Sequence, residues 1–104
     1  MTYREEVLRT AASHPDLLGL GAMGLAGESG EVVDVIKKHL YHGTNLDRDK
    51  LIKELGDVRW YFEVLCHAVG VTIEEIEKLN IEKLRKRYPE GFTTQASIDR
   101  KDQV

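Results

Sequence analysis

Apolar residues recur at helical spacing along most of the chain, and no stretch alternates apolar with polar long enough to predict a strand. Thr2-Tyr3-Arg4-Glu5 has the form of a capping box, and Tyr3, Val7, Leu8 and Ala11 share one face of the short helix behind it. Ser13-His14-Pro15-Asp16 breaks that helix and starts a second, which the pattern carries from about Pro15 to Tyr41. His42-Gly43-Thr44-Asn45 is a stop and a turn. A third helix follows from about Asp47 to Val69, closed by Gly70. Thr72-Ile73-Glu74-Glu75 is a second capping box and opens a fourth helix, ended by Pro89 and Gly91. Residues 93–104 are polar and lack a period, which predicts a loose C-terminal tail. The expectation is an all-α chain: one domain over residues 1–92 with four helices, the second and third antiparallel, and a tail over 93–104.

Two features of these helices bear on packing. Gly19, Gly21, Gly24, Gly27 and Gly30 fall within helix two, where each glycine costs roughly 1 kcal/mol against alanine. Close approach of another helix backbone is the compensation that fits. Gly19-Leu20-Gly21-Ala22-Met23-Gly24 also spells a dinucleotide-binding fingerprint, but His14-Pro15-Asp16 stands where the required strand should be, so that reading is rejected. In helix three Trp60-Tyr61-Phe62 are consecutive, about 100° apart, and cover most of the helix circumference. A helix apolar nearly all round is buried nearly all round. A chain of 104 residues can hardly do this alone, so helices two and three are expected to form a bundle within a homodimer or homotetramer.

The chemistry-bearing pattern is acidic. Glu28 and Glu31 on helix two, and Glu54 and Asp57 on helix three, are each spaced i, i+3 and so lie one turn apart on one face. Antiparallel packing of the two helices would gather four carboxylates, which repel one another unless a cation sits among them. An all-carboxylate set suits Mg²⁺ or Mn²⁺. A solvated acidic helix face is the competing reading, since such pairs are common on surfaces. Gly27, Gly30 and Gly56 beside the acids are expected to mark close packing there. A di-iron bundle would need Glu-x-x-His, which does not occur. His39 and His42 read as solvated and His67 as packed or hydrogen-bonded, while Cys66 reads as a small buried apolar group.

Composition narrows the classes. A net charge of −3 excludes polyanion binding driven by bulk charge, so no nucleic-acid partner is expected. The longest apolar stretch, residues 17–27, is too short to cross a bilayer, and no membrane partner is expected. A single cysteine excludes an internal disulfide and fits a reducing, cytoplasmic setting.

Gly24-Leu25-Ala26-Gly27-Glu28-Ser29-Gly30-Glu31-Val32-Val33-Asp34, Ile36-Lys37-Lys38, Lys53-Glu54-Leu55-Gly56-Asp57-Val58 with Trp60-Tyr61, Asn80-Ile81-Glu82-Lys83-Leu84 and Arg87-Tyr88-Pro89-Glu90-Gly91-Phe92, in that order, resemble the MazG-like nucleotide pyrophosphohydrolases, the all-α NTP pyrophosphatase superfamily. The resemblance covers about residues 17–92. It implies hydrolysis of a nucleoside triphosphate to a monophosphate and pyrophosphate, with Mg²⁺ held by Glu28, Glu31, Glu54 and Asp57 as the catalytic acids, in an oligomer of bundled helices. It also implies nucleotide contacts from Tyr61 and Asn80, and phosphate contacts from Lys83 and Arg87.

The residues themselves support part of this. Asn80, Lys83 and Arg87 fall on one stripe of helix four, and Lys38 sits two turns beyond Glu31. A metal-bound triphosphate still carries negative charge, so flanking cations are expected. For Lys38 an ion pair with Asp34 at i, i+4 is an equal alternative. Lys50 and Lys53 are weaker candidates. Arg59 and Glu63 stand where relatives of the family carry apolar residues, and their i, i+4 spacing lets them pair. Two other classes fit the same pattern: a non-catalytic helical oligomer that binds a nucleotide or alarmone, and an interaction module with an acidic surface. Within the enzyme class a phosphoribosyl-ATP pyrophosphohydrolase is a related possibility.

Overall fold

The computed structural model describes residues 1–103. It is all-helical: α1 spans Tyr3–Ala11, α2 Leu17–Tyr41, α3 Arg48–Val69, α4 Ile73–Arg87 and α5 Thr94–Asp99, with a single 3₁₀ turn at Lys101–Gln103. Residues 1–70 form one compact unit and the residues from Val71 onward another. No described helix is long and apolar enough to cross a membrane.

The helix starts follow their caps. Thr2 accepts from the Glu5 amide at 3.1 Å and Thr72 from the Glu75 amide at 3.1 Å, as the two capping boxes predict. Helix α2 begins at Leu17, two residues later than the pattern suggested, because Asp16 is its cap and accepts from the Gly19 amide at 2.8 Å. Asp47 caps α3 through the Lys50 amide at 3.1 Å. Gly70, at φ 77°, closes α3 in the left-handed conformation that glycine adopts without strain.

Within the first unit α2 and α3 pack closely and run antiparallel. Gly21 faces Leu65, Gly24 faces Tyr61, Glu28 meets Glu54 and Asp57, and Lys38 shares a cavity with Lys50. A Cβ on Gly21 would lie 2.6 Å from Leu65 Cγ, and one on Gly24 would enter the Tyr61 ring. The close approach expected of the helix-two glycines is real at these two positions. Helix α1 lies on α3, and Val7, Ala11 and Val64 form a small core with Leu17, Leu20 and Trp60 packed on it.

Much of the apolar face is left uncovered. Trp60, Tyr61 and Phe62 are each only partly buried. Met23, Val33, Leu40 and Tyr41 on α2 are 78%, 62%, 61% and 79% exposed, and Ile52 and Leu55 on α3 about half exposed. The self-association expected from the aromatic triplet would cover such surface.

In the second unit α4 carries the contacts of α5 and of the 3₁₀ turn. The segment read as a loose tail therefore contains a short helix. Thr93 caps it through the Ala96 amide at 3.0 Å, and Gln95 donates to Asp99 at 2.8 Å. Arg87 holds the end of this segment by donating from Nε and Nη2 to the two oxygens of Asp102, at 2.8 and 2.9 Å. The last residue of the expected tail, Val104, lies outside the described residues.

Candidate functional site

Antiparallel packing of α2 against α3, with Leu65 close over Gly21 and Tyr61 over Gly24, brings three of the four expected acids together. One carboxylate oxygen each from Glu28, Glu54 and Asp57 lies within 4.8 Å of the others. Glu31, one turn on from Glu28, is exposed and outside this trio. The glycines beside the acids do not mark close packing. A Cβ on Gly27, Gly30 or Gly56 would meet nothing within 4 Å, so these positions face open space. Glycine at these positions signals space, and the sequence alone does not tell space from contact.

The crowding of carboxylates acts on Glu28. The Glu28 carboxyl is raised above its usual range, first by partial desolvation, then by its hydrogen bond with Glu54 and by the charges of Asp57, Glu54 and Glu31. Charge accumulated in this way is what a cation relieves. Three hard oxygen donors with no histidine or cysteine among them fit Mg²⁺ or Mn²⁺. Beside the trio, Glu28, Asp57, Trp60 and Tyr61 line an open cleft of about 270 Å³. The Trp60 and Tyr61 rings meet edge to face, with centroids 5.0 Å apart.

The basic residues are more dispersed. Lys38 Nζ lies 3.0 Å from Asp34 Oδ2, the ion pair weighed above, and its hydrogen bond and charge hold the Asp34 carboxyl below its usual range. Lys38 also lines a second cavity with Lys50. Asn80 and Lys83 are exposed on α4, in the second unit. Arg87 is committed to Asp102. The pair is nearly buried, with side-chain exposures of 14% and 3%, and the hydrogen bond from Arg87 first of all brings the Asp102 carboxyl down to about 2. Sequence reading missed this clamp, because nothing local joins residues fifteen apart in a polar segment.

Elsewhere Cys66 is buried, and desolvation raises its thiol, as a packed apolar group requires. His67 is exposed in the last turn of α3 and not packed. His39 is exposed too, but its Nδ1 meets the Thr44 carbonyl at 2.8 Å.

Comparison with known proteins identifies the family of the chain. The family model for the MazG nucleotide pyrophosphohydrolase domain matches residues 21–92, which include all of the acids and α4. The chain is 38% identical over 73 residues to the Gene 37 protein of Mycobacterium phage L5. That match covers 66% of this chain and 64% of the phage protein, so the chain spans less than two thirds of that relative. No solved structure matches. On the family match and the paired acids together, the chain belongs to the MazG nucleotide pyrophosphohydrolase domain family.

Proposed function

We propose that the protein is a nucleoside triphosphate pyrophosphohydrolase dependent on Mg²⁺ or Mn²⁺, converting a ribo- or deoxyribonucleoside triphosphate and water to the monophosphate and pyrophosphate, in nucleotide-pool control or house-cleaning. The observation that carries this is the convergence of Glu28, Glu54 and Asp57 on one point between two helices. These three would hold the divalent ion, and Glu31, exposed one turn on from Glu28, is the fourth acid of the proposed set. A bound divalent ion supplies charge neutralisation on the phosphates and acidifies a water. The chain's own residues do the rest. The carboxylates take the proton lost when the water oxygen bonds to the α-phosphorus and the α–β anhydride bond breaks. Tyr61 and Trp60 wall the cleft beside that point and keep one side of it apolar. Lys38 would supply positive charge for the nucleotide, and Asn80 and Lys83 on α4 keep the nucleotide and phosphate roles that the family resemblance implies. Arg87 spends Nε and Nη2 on Asp102, so its first role is to hold the C-terminal segment.

The partner proposed for the uncovered apolar face is a second copy of the chain. Met23, Gly30, Val33 and Leu40 recur along α2 at spacings of seven, three and seven, a seam that another helix can bury.

A pyrophosphate-release screen over canonical, deoxy and modified triphosphates, with and without Mg²⁺, tests the reading. Glu54→Gln and Asp57→Asn are each expected to lower turnover by about 100-fold or more. Full Mg²⁺-dependent activity in either variant overturns the site. Metal-dependent nucleotide binding with no pyrophosphate released identifies a sensor instead.

A further inference from the structure

Trp60, the single tryptophan of the chain, takes part in two structures at once. It lines the cleft of about 270 Å³ with Glu28, Asp57 and Tyr61, and it packs on the core cluster of Val7, Ala11 and Val64. Two of those three core residues, Val7 and Ala11, are the buried positions of α1. The neighbouring wall residue, Tyr61, is seated on α2, over Gly24. The two aromatic walls of one cleft are thus supported by different helices, Tyr61 by α2 and Trp60 by α1.

What holds α1 in place therefore bears on the cleft. The helix has nine residues, short of the length at which a helix persists alone in water. Its apolar hold is only Val7 and Ala11, and apolar contact has no preferred direction. The rest of the hold is ionic. Arg4 Nε of α1 lies 2.6 Å from one oxygen of Glu63, and Arg59 Nη1 lies 2.8 Å from the other. On α3, Arg59 stands one position before Trp60 and Glu63 one turn after it. A buried carboxylate clasped in this way is a poor source of stability, because desolvation offsets much of the attraction and apolar residues of similar volume often do as well. It is a good source of orientation, because a charge-assisted hydrogen bond demands one distance and one angle.

We propose that Glu63 is a positioning residue for the cleft: clasped between Arg4 and Arg59, it fixes α1 on α3, and α1 in turn holds the Trp60 ring as a fixed wall of the nucleotide cleft. The inference rests on the pyrophosphohydrolase reading for the identity of the ligand. The link from Glu63 to Trp60 rests on packing alone.

Trp60 is its own reporter, since no other tryptophan emits. Two variants open the clasp, both studied well below their melting temperatures. Arg4→Met frees the α1 side and leaves Glu63 paired with Arg59. The combination Arg4→Met, Arg59→Met and Glu63→Leu replaces the whole clasp by apolar side chains, and is expected to melt at or above the wild-type temperature. In both, Trp60 emission is expected to move to longer wavelength and its quenching by acrylamide to rise. The KM for the triphosphate hydrolysed best in the screen should rise by about fivefold, the scale of one aromatic contact, with kcat within about twofold of wild type. Binding of Mn²⁺ alone, read by calorimetry, should stay at its wild-type value, because the three acids are intact. Wild-type emission, quenching and KM in both variants overturn the proposal. A fall in melting temperature accompanied by equal losses of metal binding and turnover also overturns it, because the clasp then serves stability only. Absence of pyrophosphate release by the wild type overturns the hydrolase reading instead, and the emission and quenching comparison still decides the link from Glu63 to Trp60 because it needs no turnover.

Discussion

Arg4 Nε of α1 lies 2.6 Å from the Glu63 carboxylate of α3, a contact across 59 residues of sequence. Arg59 Nη1 lies 2.8 Å from the other oxygen of the same carboxylate. Glu63 is 4% exposed, the one charged residue at a buried position among the described residues. The same Arg59 guanidinium stands 4.6 Å from the centre of the Tyr3 ring, so α1 is tied to α3 at two points.

Removing Glu63 should loosen α1. Glu63→Gln leaves two guanidiniums facing each other without their counter-charge, and a loss of about 2–4 kcal/mol is expected, below the largest values for buried pairs because both arginines are partly exposed. Urea unfolding measures it. The pH dependence has a defined sign. Burial pushes the Glu63 carboxyl up, but hydrogen bonds from Arg59 and Arg4 outweigh it and hold it below its ordinary value. Its stabilisation is thus complete above the unfolded carboxyl's titration, near pH 4.3, and fades as pH falls through the lower folded value. The substitution should therefore flatten the acid limb of the stability profile.

Glu28 carries the opposite sign. Its folded carboxyl is raised, so its contribution is present at low pH and lost as pH rises through the folded value. At neutral pH and without metal, Glu28→Gln is expected to melt higher than wild type, since it relieves repulsion from Glu54 and Asp57. Added Mn²⁺ should stabilise wild type and leave the variant unmoved. A variant that melts lower without metal would contradict the repulsion argument.

Two glycines on α2 should respond in opposite ways. Gly24→Ala drives a methyl into the Tyr61 ring, and a net loss of about 1–2 kcal/mol is expected after the helix-propensity gain. Gly30→Ala meets nothing within 4 Å and should add about 1 kcal/mol to the isolated chain. If a second copy packs along α2, that methyl should also shift self-association toward monomer. Thermal melts with sedimentation velocity separate the two effects.

Asp102→Asn should release the C-terminal segment. With the bidentate contact to Arg87 weakened, amides of residues 94–103 are expected to exchange roughly tenfold faster or more, while those of α2 and α3 keep their protection. The Asp102 carboxyl, brought down to about 2, keeps its charge to low pH, so in wild type this protection should be lost only as the pH falls from about 4 toward 2.

What was legible in the sequence was mostly local. Thr2, Asp47, Gly70 and Thr72 mark helix ends because caps bond within three or four residues. The Arg59–Glu63 pair and the Lys38–Asp34 pair were visible for the same reason. Tertiary contacts were not. Arg4 joins Glu63, and Asp102 joins Arg87, across distances no periodicity encodes. The acid site was half legible. Spacing put each pair on a face, but only the helix register decides that Glu28 meets Glu54 and Asp57 while Glu31 stays outside. The glycines were ambiguous, since close approach at Gly21 and Gly24 and open space at Gly27, Gly30 and Gly56 look alike in a sequence.

The notch made by Gly21 and Gly24 has a consequence for how this protein tolerates change. It admits Leu65 and Tyr61 where a Cβ would collide, so the depth at which the two long helices meet depends on both positions staying bare. The meeting of Glu28 with Glu54 is thereby decided by residues that carry no functional group. A random-mutagenesis screen for inactive protein should return hits at these two silent positions beside those at the acids themselves.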